Sequence, residues 1–401
     1  MHHYDPSVEI QDYLVFGEYG DVNPSITDSS TYTFLNPQTM NELFEHEIEG
    51  CFLYSRHWNP TNKYLAEALA KLEDSEAAIV TASGMAAISC AILQLCGAGD
   101  EIISSRTIYG GTYAFFKNFL PKYGITVKFV NPQDLNAVKK AITKKTKVIY
   151  CESVSNPLLE IADIPELSKI ANHHNIKLMV DNTFSPIIIS PIHLGAHIVV
   201  HSLTKFINGT SDCVAGCVCS TKEFINQLTD INSGASMLLG PVLDSYRAAS
   251  IMKNIHSLHI RIKKHSENAQ YLAEHLEKLG CKVFYPGLKS HNGHKLLKKI
   301  MNEGFGFGGM LAVDAGTTEK ANELMAKMQQ NKVGYLAVSL GYFKTLFSSP
   351  GHSTSSEIPE EERKAMGLSE GLVRISIGLD NDIKKTYERI KRCLKEVGLV
   401  K

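Results

Sequence analysis

Two apolar runs in this chain stop on residues that can carry and move protons. Residues 197–206 read His-Ile-Val-Val-His-Ser-Leu-Thr-Lys-Phe, so the apolar stretch gives way to the hydroxyls of Ser202 and Thr204 and then to Lys205. Upstream, the run at residues 177–180 ends in Asp181. An amine and a carboxylate, each at the exit of its own strand, are what a pyridoxal phosphate site requires. The amine condenses with the cofactor aldehyde, and the carboxylate keeps the pyridine nitrogen protonated so that the ring accepts electrons. A solvated lysine at a strand end has the same local signature, so the neighbouring motifs decide.

A phosphate needs an anion hole, and Ala-Ser-Gly-Met-Ala-Ala at residues 82–87 offers one. Ser83 and Gly84 precede an apolar helical pattern, so unpaired N–H groups and the positive helix end converge there. Glycine also lets an anion approach the backbone closely; plain helix capping is the alternative. Ser202 and Thr204 would add hydroxyl donors from the opposite side. Tyr54 and Arg56, in Tyr-Ser-Arg-His-Trp-Asn-Pro-Thr (54–61), offer a second grip on the phosphate, unless Arg56 is an ordinary exposed arginine beside a turn. Tyr109, ahead of Gly110 and Gly111, suits stacking on a pyridine ring and acid–base work. Asn156, in Ser-Asn-Pro, suits a hydrogen bond to the cofactor's phenolic oxygen or a simple turn. Arg374 alternates with apolar residues in Gly-Leu-Val-Arg-Ile-Ser-Ile-Gly-Leu (371–379). A buried arginine requires an anionic partner, and a substrate carboxylate held in a bidentate fork is the natural one.

These residues need elements to hold them. From about residue 61 to 218, apolar runs (77–80, 101–103, 147–151, 177–180 and 198–200) alternate with helical patterns. That alternation predicts a mainly parallel sheet with helices on both faces, whose sites gather at the C-terminal strand ends. The expected fold is therefore α/β, a large sheet domain followed by a smaller α+β domain. A helical stretch over residues 243–279, a glycine-rich entry to a strand at 304–313, and helices at 318–329 and 382–396 make up the second part. The expected division is an arm at 1–60, a cofactor-binding domain at 61–255 and a C-terminal domain at 256–401.

Composition narrows the class without naming it. Hydrophobic residues make up 44% and charged residues 21% of the 401, with a formal net charge of −1. Near-neutrality argues against attraction to nucleic acid or anionic membrane. No apolar run reaches the roughly 18 to 20 residues of a membrane span, and the polar N-terminus is unlike a signal peptide. The nine cysteines are odd in number and scattered. Cys213, Cys217 and Cys219 match no zinc spacing and read as part of a small-residue strand near the cofactor, so no metal is expected. The expected location is the cytoplasm.

In order along the chain come Tyr-Ser-Arg-x-x-Asn-Pro-Thr, Ser-Gly-Met, Tyr-Gly-Gly-Thr, Ser-x-Asn-Pro, Val-Asp-Asn-Thr-Phe, His-Ser-x-Thr-Lys and Gly-Leu-Val-Arg-Ile-Ser. This succession, from about residue 20 to 400, resembles the Cys/Met-metabolism (trans-sulfuration) family of fold-type I pyridoxal phosphate enzymes, which includes cystathionine and methionine lyases and the corresponding synthases. The resemblance implies that Lys205 is the Schiff-base lysine, Asp181 the pyridinium partner and Tyr109 the stacking residue. It implies that Gly84, Met85, Ser202 and Thr204 bind phosphate, that Arg374, the substrate-loop Ser339, Tyr54 and Asn156 meet the substrate, and that Tyr54 and Arg56 reach a neighbouring subunit's phosphate. An active dimer, within a homotetramer, follows from that last point.

The implied activity is β- or γ-elimination on cystathionine or a related sulfur amino acid, releasing a 2-oxo acid, ammonia and a thiol. The alternatives are γ-replacement on an activated homoserine, a fold-type I aminotransferase, and a non-enzymatic cofactor-binding protein; retention of Lys205, Asp181 and Arg374 speaks against the last. The family's substrate loop commonly reads Ser-x-Gly-x-x-Glu-Ser-Leu and then His-Pro-Ala-x-x-Thr-His. Here residues 339–346 read Ser-Leu-Gly-Tyr-Phe-Lys-Thr-Leu and residues 349–355 read Ser-Pro-Gly-His-Ser-Thr-Ser. Lys344 thus replaces an acid, as in sulfhydrylase-type members, or is a solvated loop lysine; Ser349 and Ser355 replace histidines. Gly111 stands where dedicated methionine γ-lyases carry cysteine, which speaks against a methionine specialist. Thr27 and Asp28 replace a Tyr-Gln pair. These departures are expected at the pocket mouth.

Overall fold

Unbroken apolar runs, rather than alternating ones, suit strands buried on both faces, and such runs form the centre of the larger, seven-stranded sheet. In the computed structural model, which describes residues 4–45, 48, 50–352, 360–361 and 367–401, the strands of that sheet are β1 (Ala77–Thr81), β2 (Glu101–Ser105), β3 (Thr126–Val130), β4 (Thr146–Glu152), β5 (Lys177–Asp181), β6 (Ile198–Ser202) and β7 (Gly216–Ser220). Their order is β1-β7-β6-β5-β4-β2-β3. β7 runs antiparallel to β1 and β6, while the remaining pairs are parallel. The expected α/β class is the one the molecule adopts.

Side chains of adjacent residues in the central strands part to opposite faces. Ile149, Cys151, Leu178, Val180, Val199, Cys217 and Cys219 join the core containing Leu65, Leu69 and Leu72 of the helix Pro60–Glu73. Val148, Tyr150, Met179, Ile198, Val200 and Val218 join the opposite core, with Ile88 and Ile92 of the helix Gly84–Leu95. Cys217 and Cys219 are therefore core side chains, their sulfurs 4.0 Å apart.

A second sheet follows: β8 (Lys282–Phe284), β9 (Met310–Asp314), β10 (Gly334–Leu336), β11 (Thr345–Ser348) and β12 (Leu372–Ser376). Its order is β10-β11-β12-β9-β8, with only β10 and β11 parallel. Leu311, Val313, Phe347, Val373 and Ile375 pack there beneath the helices Leu258–Lys278, Thr318–Gln330 and Ile383–Glu396.

The stretch 243–279, read as one helical segment, contains two helices, Ser245–Ile255 and Leu258–Lys278. Arg261 accounts for the break. Its guanidinium donates to the carbonyls of Asn254 (3.0 Å) and Ile207 (2.8 Å), to the Phe206 carbonyl, and to Ser257 Oγ (3.1 Å). One half-buried side chain thereby joins the end of a helix to the backbone just after Lys205. The arm holds two short helices, Pro6–Asp12 and Pro37–Glu45, and exposes Leu14, Phe16, Tyr19, Val22 and Leu35. Among the described residues no helix is long and apolar enough to cross a membrane.

Candidate active site

The C-terminal ends of β4, β5 and β6 open on a cavity of about 250 Å³. Lys205 enters it from a turn after β6 in which its N–H donates to the Ser202 carbonyl at 3.2 Å and its own carbonyl accepts from Gly209 at 2.8 Å. Nζ donates to Ser339 Oγ at 3.0 Å. Burial, with the Arg374 guanidinium nearby, pulls the amine down to about 8. A neutral amine, able to attack or to take a proton, is therefore accessible close to neutral pH.

Asp181 closes β5, where Oδ1 accepts from the Thr183 N–H at 2.9 Å and Oδ2 from the Tyr150 hydroxyl at 3.4 Å. Burial pushes its carboxyl above the usual range; the bonds from Thr183 and the charge of His201 oppose that push. His201 lies wholly buried on β6, its Nε2 2.6 Å from Glu73 Oε1. Burial alone would lower the imidazole, but Glu73 reverses this and holds it up to about 9. An imidazolium on the neighbouring strand β6 is thus part of the field at Asp181.

The anion cradle forms where the helix Gly84–Leu95 begins. Ser83 caps that helix, its Oγ accepting from the Ala86 N–H at 3.0 Å. The first-turn N–H groups at Gly84 and Met85, which a helix cannot satisfy internally, lie at the cavity with Ser202 and Thr204. Contact is close enough to demand glycine. A Cβ on Gly84 would lie 2.7 Å from Ser202 Cβ, and one on Gly216 would lie 2.3 Å from the Ser83 carbonyl oxygen. Gly216, which opens β7, is glycine for that reason. The Thr204 hydroxyl is engaged with Ala215, accepting from its N–H at 3.0 Å.

Tyr109, Asn156 and Arg374 complete the cavity. Arg374, on β12, is 2% exposed, and donates to Asn156 Oδ1 at 3.0 Å and to Ser348 Oγ at 3.4 Å. Neither partner is a carboxylate, so a buried guanidinium faces the cavity with capacity for an anion. Burial lowers its proton affinity to about 10. Glu152, absent from the sequence reading, also lines the cavity. Burial and the charge of Asp181 push its carboxyl up to about 8. The available signal was an acid ending an apolar run, as Asp181 does. Val154, Val214, Val338 and Leu340 supply apolar wall.

Some expected site residues lie elsewhere. Arg56 donates to the Met237 carbonyl at 2.9 Å and Tyr54 is 43% exposed; neither lines the cavity of its own chain. Thr27, Asp28 and Lys344 do not line it either, contrary to their expected place at its mouth. Lys344 instead forms an ion pair with Asp380 at 3.1 Å, Asp28 accepts from the Tyr246 hydroxyl at 3.3 Å, and the Thr27 N–H donates to Thr61 Oγ1 at 2.9 Å. Ser349 is buried, and Ser355 lies outside the described residues.

A lysine and a carboxylate at neighbouring strand ends, with a helix N-terminus seated on Ser202 through Gly84 at the same cavity, suit pyridoxal phosphate. The family described as Cys/Met metabolism PLP-dependent enzyme matches residues 12–394. The methionine γ-lyase of Arabidopsis thaliana is 44% identical over 383 residues, covering 94% of this chain and 87% of the relative. The cystathionine β-lyase of Lactococcus lactis subsp. cremoris is 38% identical, covering 92% and 95%. A solved structure of a putative O-acetylhomoserine (thiol)-lyase from Campylobacter jejuni, carrying N'-pyridoxyl-lysine-5'-monophosphate, superposes with a TM-score of 0.90 at 29% identity and covers 98% of this chain and 100% of that one. The chain belongs to the Cys/Met metabolism family of pyridoxal phosphate-dependent enzymes. It is a pyridoxal phosphate-dependent carbon–sulfur lyase.

Proposed function

We propose that the protein eliminates the sulfur substituent of a γ-thioether amino acid, methionine or cystathionine, giving a 2-oxo acid, ammonia and a thiol. The observation that carries this reading is the cavity itself. Arg374 can fork onto one carboxylate while Val214, Val338 and Leu340 face a thioether with apolar surface. Lys344, the residue that pointed toward sulfhydrylases, is tied to Asp380 and leaves the cavity's chemistry unchanged. The glycine at position 111 predicts activity on more than one thioether rather than a methionine specialist.

When bound, pyridoxal phosphate supplies an electron sink for the charge left at Cα. Lys205 holds the cofactor and then serves as the base that takes the Cα proton and, for a γ-substituent, relays a Cβ proton. Ser339 Oγ, 3.0 Å from Nζ, orients that amine. Asp181 would hold the ring nitrogen, Tyr109 would stack on the ring and protonate the departing sulfur, and Asn156 steadies the Arg374 guanidinium that would grip the carboxylate. Gly84, Met85, Ser202 and Thr204 take the phosphate, with Ser83 holding their helix in place.

Tyr54 and Arg56, outside their own chain's cavity, are assigned to the phosphate of a second copy. The exposed apolar residues of the arm support such a dimer, paired into a tetramer. Nine unpaired cysteines support a reducing, cytoplasmic location. The bend at residues 256–257, between two helices, supports a domain boundary near residue 255.

The test is product release without added thiol. Methionine and cystathionine should each yield 2-oxobutyrate. Pyruvate from cystathionine would move the reading to β-elimination, and homocysteine formation from O-acylhomoserine plus sulfide, with release of the carboxylate and no 2-oxo acid from either thioether, would overturn it for γ-replacement.

A further inference from the structure

Glu152 is buried in the cavity (7% exposed) and has no part in the chemistry above. It ends β4 as the register partner of Asp181 on β5. Its two carboxylate oxygens point to two different loops. Oε1 accepts the Tyr109 N–H at 2.7 Å, and Oε2 accepts the Asn156 N–H at 2.7 Å. Tyr109 follows β2, whereas Asn156 follows β4 and carries the 3.0 Å bond from Arg374. One carboxylate therefore straps together the residue assigned to stacking and the residue that steadies the carboxylate fork.

We infer that Glu152 is a positioning residue that fixes Tyr109 and the Asn156–Arg374 pair relative to one another. The inference rests on the roles proposed above for Tyr109 and Arg374. Both straps are 2.7 Å long and place one N–H on each oxygen, an arrangement that favours the ionised side chain against the burial that raises it. Glutamine cannot reproduce them: it has one acceptor oxygen, and its amide would present N–H to N–H. Aspartate keeps both oxygens but is one methylene too short to span both loops. The loops have a second tie farther out, because Glu160 accepts from Thr107 Oγ1 at 2.7 Å and lies 3.8 Å from Arg106. Glu152 variants should therefore fold while losing alignment.

The experiment compares Glu152→Gln, Glu152→Asp, Arg374→Lys and Glu152→Gln/Arg374→Lys with wild-type holoenzyme. Loss of one strap should raise KM for the amino acid about tenfold, with a smaller fall in kcat and nearly unchanged Tm. The visible circular dichroism of the bound cofactor should weaken, and apoenzyme titrated with pyridoxal phosphate should bind less tightly. Adding Glu152→Gln to Arg374→Lys should cost much less than the product of the single effects, since both act on one fork. If Arg374→Lys raises KM but both Glu152 variants leave KM and dichroism at wild-type values, the inference is overturned and the site reading stands. Fully multiplicative effects would also overturn it. If Arg374→Lys itself leaves KM unchanged, the site reading is what fails.

Discussion

Replacing Glu73 by glutamine removes one buried negative charge and little else. The amide would keep an oxygen for the Asn182 Nδ2 donor, which lies 3.1 Å from Glu73 Oε1, and for His201. In the wild type, Glu73 holds the His201 imidazole up to about 9, against about 6.5 in an unfolded chain. A raised folded pKa means that the native state binds the extra proton. The associated stability is fully present below pH 6.5 and is lost as pH rises through 9. A difference of about 2.5 pH units at 1.36 kcal/mol each is on the order of 3 kcal/mol. Urea unfolding of wild type and Glu73→Gln at pH 6 and pH 9.5 reads this directly. Glu152, also raised, titrates in both proteins and cancels in the comparison. Wild type should lose about 3 kcal/mol more than the variant between the two pH values. Parallel pH dependences would refute the ion pair as described.

Three further outcomes follow from the same geometry. Gly84→Ala drives a Cβ to within 2.7 Å of Ser202 Cβ; overpacking of about 1–3 kcal/mol should appear as pyridoxal phosphate binding weakened by roughly 5- to 150-fold, read by absorbance titration. Arg261→Leu leaves the carbonyls of Asn254, Phe206 and Ile207 without their donor, and should destabilise by about 3 kcal/mol or more in urea unfolding. The association rate of apoenzyme with pyridoxal phosphate should rise with pH through a midpoint at about 8, following the neutral Lys205 amine. In Arg374→Leu that midpoint should move upward, because the neighbouring cation that lowers the amine is gone.

The legible parts of the fold were those where burial writes itself into consecutive residues. β5 and β6 are buried on both faces, so each appears as an apolar run with a polar exit, and Asp181 and Lys205 stand out at those exits. β3 was not singled out because it is an edge strand, only half-buried, with Lys128 in its middle. Glu152 is the acid at the end of another such run, but its significance comes from register with Asp181 and from loops 43 and 4 residues away, at Tyr109 and Asn156. Lys344 could not be placed from its own segment because Asp380, its partner, lies 36 residues on in sequence. The helix break near residue 256 depends on Arg261 reaching across to the Lys205 loop. Pairings of this kind depend on distance in space, and local spacing carries no trace of them.

The most direct measurement is 2-oxobutyrate release from methionine by wild type and Lys205→Ala, each supplied with pyridoxal phosphate and shown to be folded. Wild type should release product without added thiol, and Lys205→Ala should release none and lose the absorbance of lysine-bound cofactor. A folded Lys205→Ala protein that turned over at the wild-type rate would contradict the account at its centre.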